Sequence, residues 1–513
     1  MQKTLDFYHS RIPGLTCVVR VNYNFIMKKI GLKFVFCIAA VLFCSFALSR
    51  DSHIDDFEKG EIIEKVACKN DREQTYALYL PTAYSKEKSW PVLVAFDPAG
   101  RGKVPVELFK TAAEKYHYIV VGSNNVRNGP WETIFKAMKA VWLDIGKRFS
   151  IDYDRIYTTG FSGGARAAVI FPHIVGRPVA GIIGCGAGLP PTFKAEQVKP
   201  AFYYGIVGLE DFNYKEFVRL GKELSRAGVS HTIDLIAGPH NWPPAEVCLR
   251  AVEWMEIEAI KRRVKQRDDS LLDALFQKAL KVGQNLEDSG KIYHAAGYYW
   301  AVEALFTGLK ETSGIEKTAA RLEQGTEFKD FARAEKIRNT KERAFIDRFA
   351  FVFSLVRNRE PGQLKLKKVL KDLQLDSLVK QAEGSRHVYD SAMAKRLLEE
   401  LKIKGNGEGA KYIEQSVTAA SSANRDGLTR AYIFFEIAAR ADKTDPTAFY
   451  NLACCYALDK KKKEALKNFR TFAELALKKG CRNFSFIKTD KQLDTLRKEK
   501  EFLEIMRLLE QPK

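Results

Sequence analysis

The chain has little that would tie it to a metal, a nucleotide or a nucleic acid. Its nine cysteines and eight histidines show no paired metal-ligand spacing, and no phosphate loop, zinc-finger pattern or RNA-binding aromatic motif is present. The formal charge of +20 would point to an anionic partner if it were concentrated. It is instead interleaved with acidic residues, and the one basic run, Lys460-Lys461-Lys462-Lys463, falls where a turn between two helices is expected. Nucleic acid is therefore excluded as a partner class, and no cofactor or metal is expected. With 46% hydrophobic and 28% charged residues the 513-residue chain is also neither disordered nor fibrous, and its length allows two to four domains.

Long apolar runs are scarce too, apart from one at the start. Met27-Lys28-Lys29 precedes "IGLKFVFCIAAVLFCSFALS", which ends Ala47-Leu48-Ser49. A basic start, an apolar centre and small residues before the break predict a secretory signal over 27–49, cleaved after Ser49, with 1–26 an upstream extension. Export to the periplasm or medium is the expectation; the alternative is a membrane anchor, if the segment is retained. Cys68, Cys185, Cys248, Cys454, Cys455 and Cys481 lie beyond the cleavage point and read mostly as small core hydrophobes.

From residue 60 to 264 short β-rich runs alternate with amphipathic stretches. "TYALYLP", "PVLVAF", "YIVVGS", "RIYTTG", "VAGIIGC", "AFYYGIVG" and "HTIDLIAG" read as strands. "PVELFKTAAEKYH", "WETIFKAMKAVWLDIGKRF", "GARAAVIFPHIV" and "YKEFVRLGKELSRAG" read as helices between them. This order predicts an α/β fold: a mostly parallel sheet covered on both faces, with functional groups at the carboxyl ends of its strands.

The chemistry-bearing residues fall at those ends. Gly160-Phe161-Ser162-Gly163-Gly164 fits G-x-S-x-G between a strand and a helix, which is the context of a nucleophile elbow. The strand "AFYYGIVG" runs into Leu209-Glu210-Asp211, and "HTIDLIAG" into Pro239-His240-Asn241-Trp242. Ser162, Asp211 and His240 are thus candidates for nucleophile, acid and base; Glu210 competes for the acid, with Asp211 preferred on the loop beyond the strand turn. The other histidines fall at helix ends, at a strand start, near the export signal or in the helical half. The N–H of Gly163 and a second N–H near Ala99, in "AFDPAGRG", are candidates for binding an oxyanion. "SNNVRNGPW" brings Asn124, Arg127 and Trp131 to the same edge, and with Trp242 they are candidates for holding substrate.

Residues 75–256 resemble the α/β-hydrolase superfamily, nearest its polyhydroxybutyrate-depolymerase and feruloyl-esterase-like branch. The resemblance is carried by "DIGKRFSIDYDRIYTTGFSGGARAA", "GLEDFNY" and "PHNWPPAEVCLRAVEWM". It implies a serine esterase without metal or organic cofactor. Asp97-Pro98 departs from the His-Gly often found at the oxyanion loop, and the helical half lies outside the resemblance. Only about a dozen residues, "AGLPPTFKAEQVKP", separate two strands where a lid would lie, too few for a helical one. Soluble or carbohydrate-linked acyl esters are therefore the expected substrates. A peptidase of the same fold and a scaffold with a degenerate hydrolase domain are the alternatives.

After Arg262 the strand signal stops. Residues 265–430 are helical without a strict repeat. Over 431–513 "DPTAFYNLACCYALDKKKKEALKNFRTFAELALKKG" resembles a tetratricopeptide repeat, and "DKQLDTLRKEKEFLEIM" its closing helices. The resemblance implies a surface for a protein partner.

Overall fold

The computed structural model describes residues 57–418 and 423–510. The signal-peptide expectation lies outside them. Among the described residues no helix is long and apolar enough to cross a membrane.

The first half is an eight-stranded sheet: β1 (Ile62–Ala67), β2 (Thr75–Tyr79), β3 (Trp90–Phe96), β4 (Ile119–Ser123), β5 (Ile151–Phe161), β6 (Gly181–Cys185), β7 (Phe202–Gly208) and β8 (His231–Ile236). Their spatial order is β1-β2-β4-β3-β5-β6-β7-β8. β1 and β2 run antiparallel to their neighbours, and from β4 to β8 every pairing is parallel. This is the α/β-hydrolase arrangement. Five helices cross the sheet: α1 (Lys103–Tyr116), α2 (Trp131–Arg148), α3 (Gly163–Val175), α4 (Tyr214–Ala227) and α5 (Ala245–Lys261).

Every residue of β2, β3, β4, β6 and β7 is buried, which is why these strands read as continuous apolar runs rather than alternating ones. Alternate residues still serve different layers. Val92, Val94 and Phe96 of β3 join the core beneath α2 and α3, whereas Leu93 joins the core beneath α1 and α5. The sequence reading missed β1. Its IIEKVA run is largely solvent-facing, so the apolar signature of a covered strand is absent.

Helices alone follow: α6 (Asp269–Asp288), α7 (Ile292–Phe306), α8 (Ser313–Gln324), α9 (Thr326–Asn358), α10 (Leu366–Asp372), α11 (Leu375–Gly384), α12 (Val388–Thr418), α13 (Ala423–Ala441), α14 (Pro446–Leu458), α15 (Lys462–Lys478), α16 (Ser485–Thr489) and α17 (Lys500–Glu510). Among the described residues they bury three cores, two of which share Tyr412 and Tyr432 at their border. The first holds Leu272, Tyr299 and Phe306 together with Ile257 and Ile260 of α5, so α5 is packed on the sheet and on the helices at once. The second holds Phe349, Phe353, Leu397 and Phe434, and the third Leu452, Phe469 and Phe502. Asp445 caps α14 by accepting the Thr447 N–H at 3.1 Å, and Pro446 supplies the first helical turn.

Candidate functional site

Ser162 stands between the end of β5 and the start of α3 with φ 53° and ψ −120°. No side chain adopts that backbone without strain, so neighbouring structure must hold it there. The Ser162 N–H donates to the Cys185 carbonyl on β6 at 2.8 Å, and its carbonyl accepts from Ala165 N–H at 3.0 Å. The turn is also too crowded for side chains beside it: a β-carbon on Gly160 would overlap the Gly164 carbonyl, and one on Gly164 the Phe96 carbonyl of β3. The glycines of "GFSGG" thus let strand, turn and helix approach one another. The hydroxyl projects from a sharp corner at the amino end of α3. No protein acceptor meets the Gly163 N–H among the described residues.

His240, on the loop after β8, places Nε2 at 3.0 Å from Ser162 Oγ and Nδ1 at 2.8 Å from Asp211 Oδ2. A carboxylate can only accept, so Nδ1 carries the proton it donates to Asp211 and Nε2 is left as the acceptor for the serine hydroxyl. Asp211 is buried, and its other oxygen accepts the Asn213 N–H at 2.8 Å. Both carboxylate oxygens are therefore satisfied and the group is fixed in place. The imidazole packs against two rings, with centroids 4.6 Å away for Phe161 and 4.3 Å for Phe212. Glu210, the competing acid, turns away and pairs with Lys395 at 2.7 Å.

The loop after β3 differs from expectation. The Ala99 N–H donates to Asp97 Oδ1 at 2.9 Å, Gly100 N–H to the Asp97 carbonyl at 3.0 Å, and Arg101 N–H to Oδ1 at 3.3 Å. Asp97 has folded the loop around its own carboxylate, as aspartate does in such turns, and Ala99 is not a free donor. The same carboxylate takes the Arg101 guanidinium through Nε and Nη2, both at 2.9 Å, and the Trp242 Nε1–H at 2.8 Å. Burial pushes Asp97 up, but the hydrogen bonds from Arg101, Trp242 and Ala99 outweigh it and hold the carboxyl below the usual carboxylate range. Trp242 therefore ties the histidine loop to the β3 loop, with its ring 5.6 Å from Phe161, rather than standing free for substrate.

Asn124 is likewise consumed by structure. Its Oδ1 accepts Gly102 N–H, and its Nδ2 donates to the Glu64 carbonyl and Thr75 Oγ1. Arg127 is exposed and meets Ala99 through its backbone. Trp131 opens α2, is 42% exposed and stacks on Phe135 at 5.6 Å. Asn128 was overlooked. Its N–H donates to the Pro98 carbonyl at 2.8 Å, and its side-chain amide lies so close to Gly163 that a β-carbon there would overlap it. Phe212, which flanks the imidazole, was also missed. Asn-Gly reads as a turn and phenylalanine as core, so neither carries a chemical signal in sequence.

Among the described residues no group of three or more His, Cys, Asp or Glu is placed to hold a metal ion. Cys68, Cys185, Cys248, Cys454 and Cys455 are buried and unbridged, and Cys481 is exposed.

No family model matches the chain, and no curated protein matches it in sequence. Solved structures do resemble it. An S-formylglutathione hydrolase from Staphylococcus aureus superposes with a TM-score of 0.32 at 14% identity, over 39% of this chain and 98% of its own. Esterase B from Lactobacillus rhamnosis gives 0.32 at 16% identity, over 45% of this chain and 96% of its own. A ferulic acid esterase gives 0.31 at 15%, over 38% and 97%. Likeness of this degree says nothing of this chain's activity, for which the site itself is the ground.

Proposed function

We propose that the chain is a serine hydrolase that cleaves carboxylic esters through an acyl-enzyme, with Ser162 as nucleophile, His240 as general base and acid, and Asp211 as the group that orients the imidazole. The observation that carries this reading is the continuous relay from Asp211 Oδ2 through His240 to Ser162 Oγ, built on a strained turn at a helix amino end.

The chemistry follows from the tautomer. As Ser162 Oγ bonds to the ester carbonyl carbon, its proton passes to His240 Nε2, and the carbonyl electron pair moves onto oxygen. Asp211 stabilises the imidazolium that forms. The oxyanion meets the Gly163 N–H. With the Ala99 N–H engaged by Asp97, the second donor is assigned to the Asn128 side chain, which lies against Gly163 with Oδ1 nearest and serves when its amide turns to present Nδ2. Collapse of the intermediate breaks the bond to the alcohol oxygen, which takes the proton from Nε2. Water then gives its proton to the same nitrogen and attacks the acyl carbon. A second collapse frees the carboxylic acid and returns the proton to Oγ.

The short connection between β6 and β7 favours soluble or carbohydrate-linked acyl esters. The connection between β6 and β7 holds only a short 3-10 turn, Ala195–Val198, among the described residues, and nothing of lid length. Secretion is part of the reading and rests on residues 27–49 alone; the amino-terminal sequence of the mature protein tests it. Short p-nitrophenyl esters test the chemistry. Wild type should turn them over, and Ser162→Ala should lower kcat by about 10⁴- to 10⁶-fold. Equal turnover by the two proteins would overturn the assignment, and faster turnover of peptide than ester substrates would favour a peptidase.

A further inference from the structure

The helical half reaches the loop that carries Asp211. Arg396 of α12 is buried, and its Nη1 donates to the carbonyl of Leu209, two residues before Asp211. Its guanidinium lies over the ring of Tyr214, three residues after Asp211, at 4.3 Å. The remaining face of the fork is held by Glu342 of α9, which is also buried and accepts from Nε at 3.1 Å and Nη2 at 2.9 Å. Lys215, at the start of α4, adds a second cation to Glu342 at 2.9 Å.

A buried cation and a buried carboxylate in bidentate contact are costly to separate, and the pair fixes direction as well as charge. The N–H groups of the acid loop are held by the sheet side: Leu209 N–H by the Ile236 carbonyl, Glu210 N–H by that of Gly238, and Asp211 N–H by that of Gly208. On the other side, the Leu209 carbonyl is bonded to Arg396. Sheet and helical half therefore grip the same loop from opposite directions, with Asp211 between the two points that Arg396 touches.

We propose that Arg396, held by Glu342, is a positioning residue for Asp211, and that the helical half thereby keeps the histidine relay aligned. The proposal rests on the reading of Ser162, Asp211 and His240 as the reactive groups. Arg396 touches neither substrate nor His240. It acts through the Leu209 carbonyl and the Tyr214 ring, and a displacement of the acid by a fraction of an ångström is felt in the rate of the chemical step rather than in substrate binding.

The test uses the full chain and three variants. Arg396→Met removes the fork while keeping much of the bulk, and Arg396→Lys keeps a charge without the fork. Lys395→Ala removes only the exposed pair with Glu210. For Arg396→Met, kcat on a p-nitrophenyl ester should fall about 10- to 100-fold while KM changes less than about threefold. Arg396→Lys should recover part of the loss, and Lys395→Ala should stay within about twofold of wild type. The low-field proton resonance of the His240 Nδ1–H bonded to Asp211 should shift or broaden in Arg396→Met and persist in Lys395→Ala. If Arg396→Met does not fold, Glu342→Gln is read in the same way.

A kcat that follows only the folded fraction, with the low-field resonance unchanged, would overturn the positioning role. So would equal losses in all variants. If wild type shows no turnover but its low-field resonance is present and responds to Arg396→Met, it is the ester chemistry that fails and the positioning contact that stands.

Discussion

Two residues with nearly the same φ show how the halves of this chain differ. Ser162 has φ 53° with ψ −120°, while Gln374 in the helical half has φ 54° with ψ 33°. Gln374 sits in the left-handed basin, where a helix start can place an ordinary residue at modest cost. Ser162 sits outside it and is held by a sheet bond, a helix-start bond and two crowded glycines. The strained residue is found where structure over-determines it, at the corner that carries the proposed nucleophile. The helical half spends its buried surface on three local cores. Its bearing on the site comes through the paired side chains of Arg396 and Glu342.

The sharpest way to break that comparison is at the corner itself. Gly164→Ala drives a β-carbon into the Phe96 backbone, which cannot move without disturbing the central strand. It should cost about 4 kcal/mol or more and abolish turnover, as read by chemical denaturation and ester hydrolysis. Gly407, in α12, has open space around its α-carbon, so alanine there should be neutral or stabilising. Equal losses at the two positions would contradict the contrast between the halves.

A smaller effect is expected at Asn128. Alanine there should lower kcat about 10²- to 10³-fold with stability nearly unchanged, the signature of a lost oxyanion donor. A change confined to KM would instead make Asn128 a substrate contact.

The mildest effect concerns acid sensitivity in the helical half. His294 lies beside Tyr389 and Phe331, and burial, with Lys291 and Arg338 nearby, pushes its pKa below the ordinary histidine value despite an opposing pull from Glu335. The folded state then resists a proton that the unfolded chain accepts. Stability from this group is present above the ordinary value and is lost as pH falls from there toward the lower folded one. Thermal unfolding should show a smaller loss between pH 7.5 and pH 5.5 for His294→Asn than for wild type. An equal loss would remove His294 as its source.

Much of the first half was legible because its physics is local. Five strands are buried along their whole length and read as apolar runs. Ser162, Asp211 and His240 stand immediately after β5, β7 and β8, so placing the strands placed the residues on one sheet edge. What was not legible depends on contacts that leave no local pattern. An Asp-Pro pair does not announce that the aspartate will capture the N–H groups of Ala99 and Arg101. The amides of Asn124 and Asn128 have the same sequence character, yet one is spent on the β1–β2 edge and the other lies on Gly163. Arg396 and Leu209 are 187 residues apart, and a lone arginine on a charged helix looks solvated.

The central claim is that Ser162 is a nucleophile activated by His240, and covalent capture tests it most directly. Folded protein treated with an alkyl fluorophosphonate should gain one adduct by intact mass, mapped to Ser162 by peptide sequencing. Ser162→Ala should gain none, and His240→Ala should react far more slowly. An unmodified wild-type chain, or an adduct on any other residue, would contradict the account.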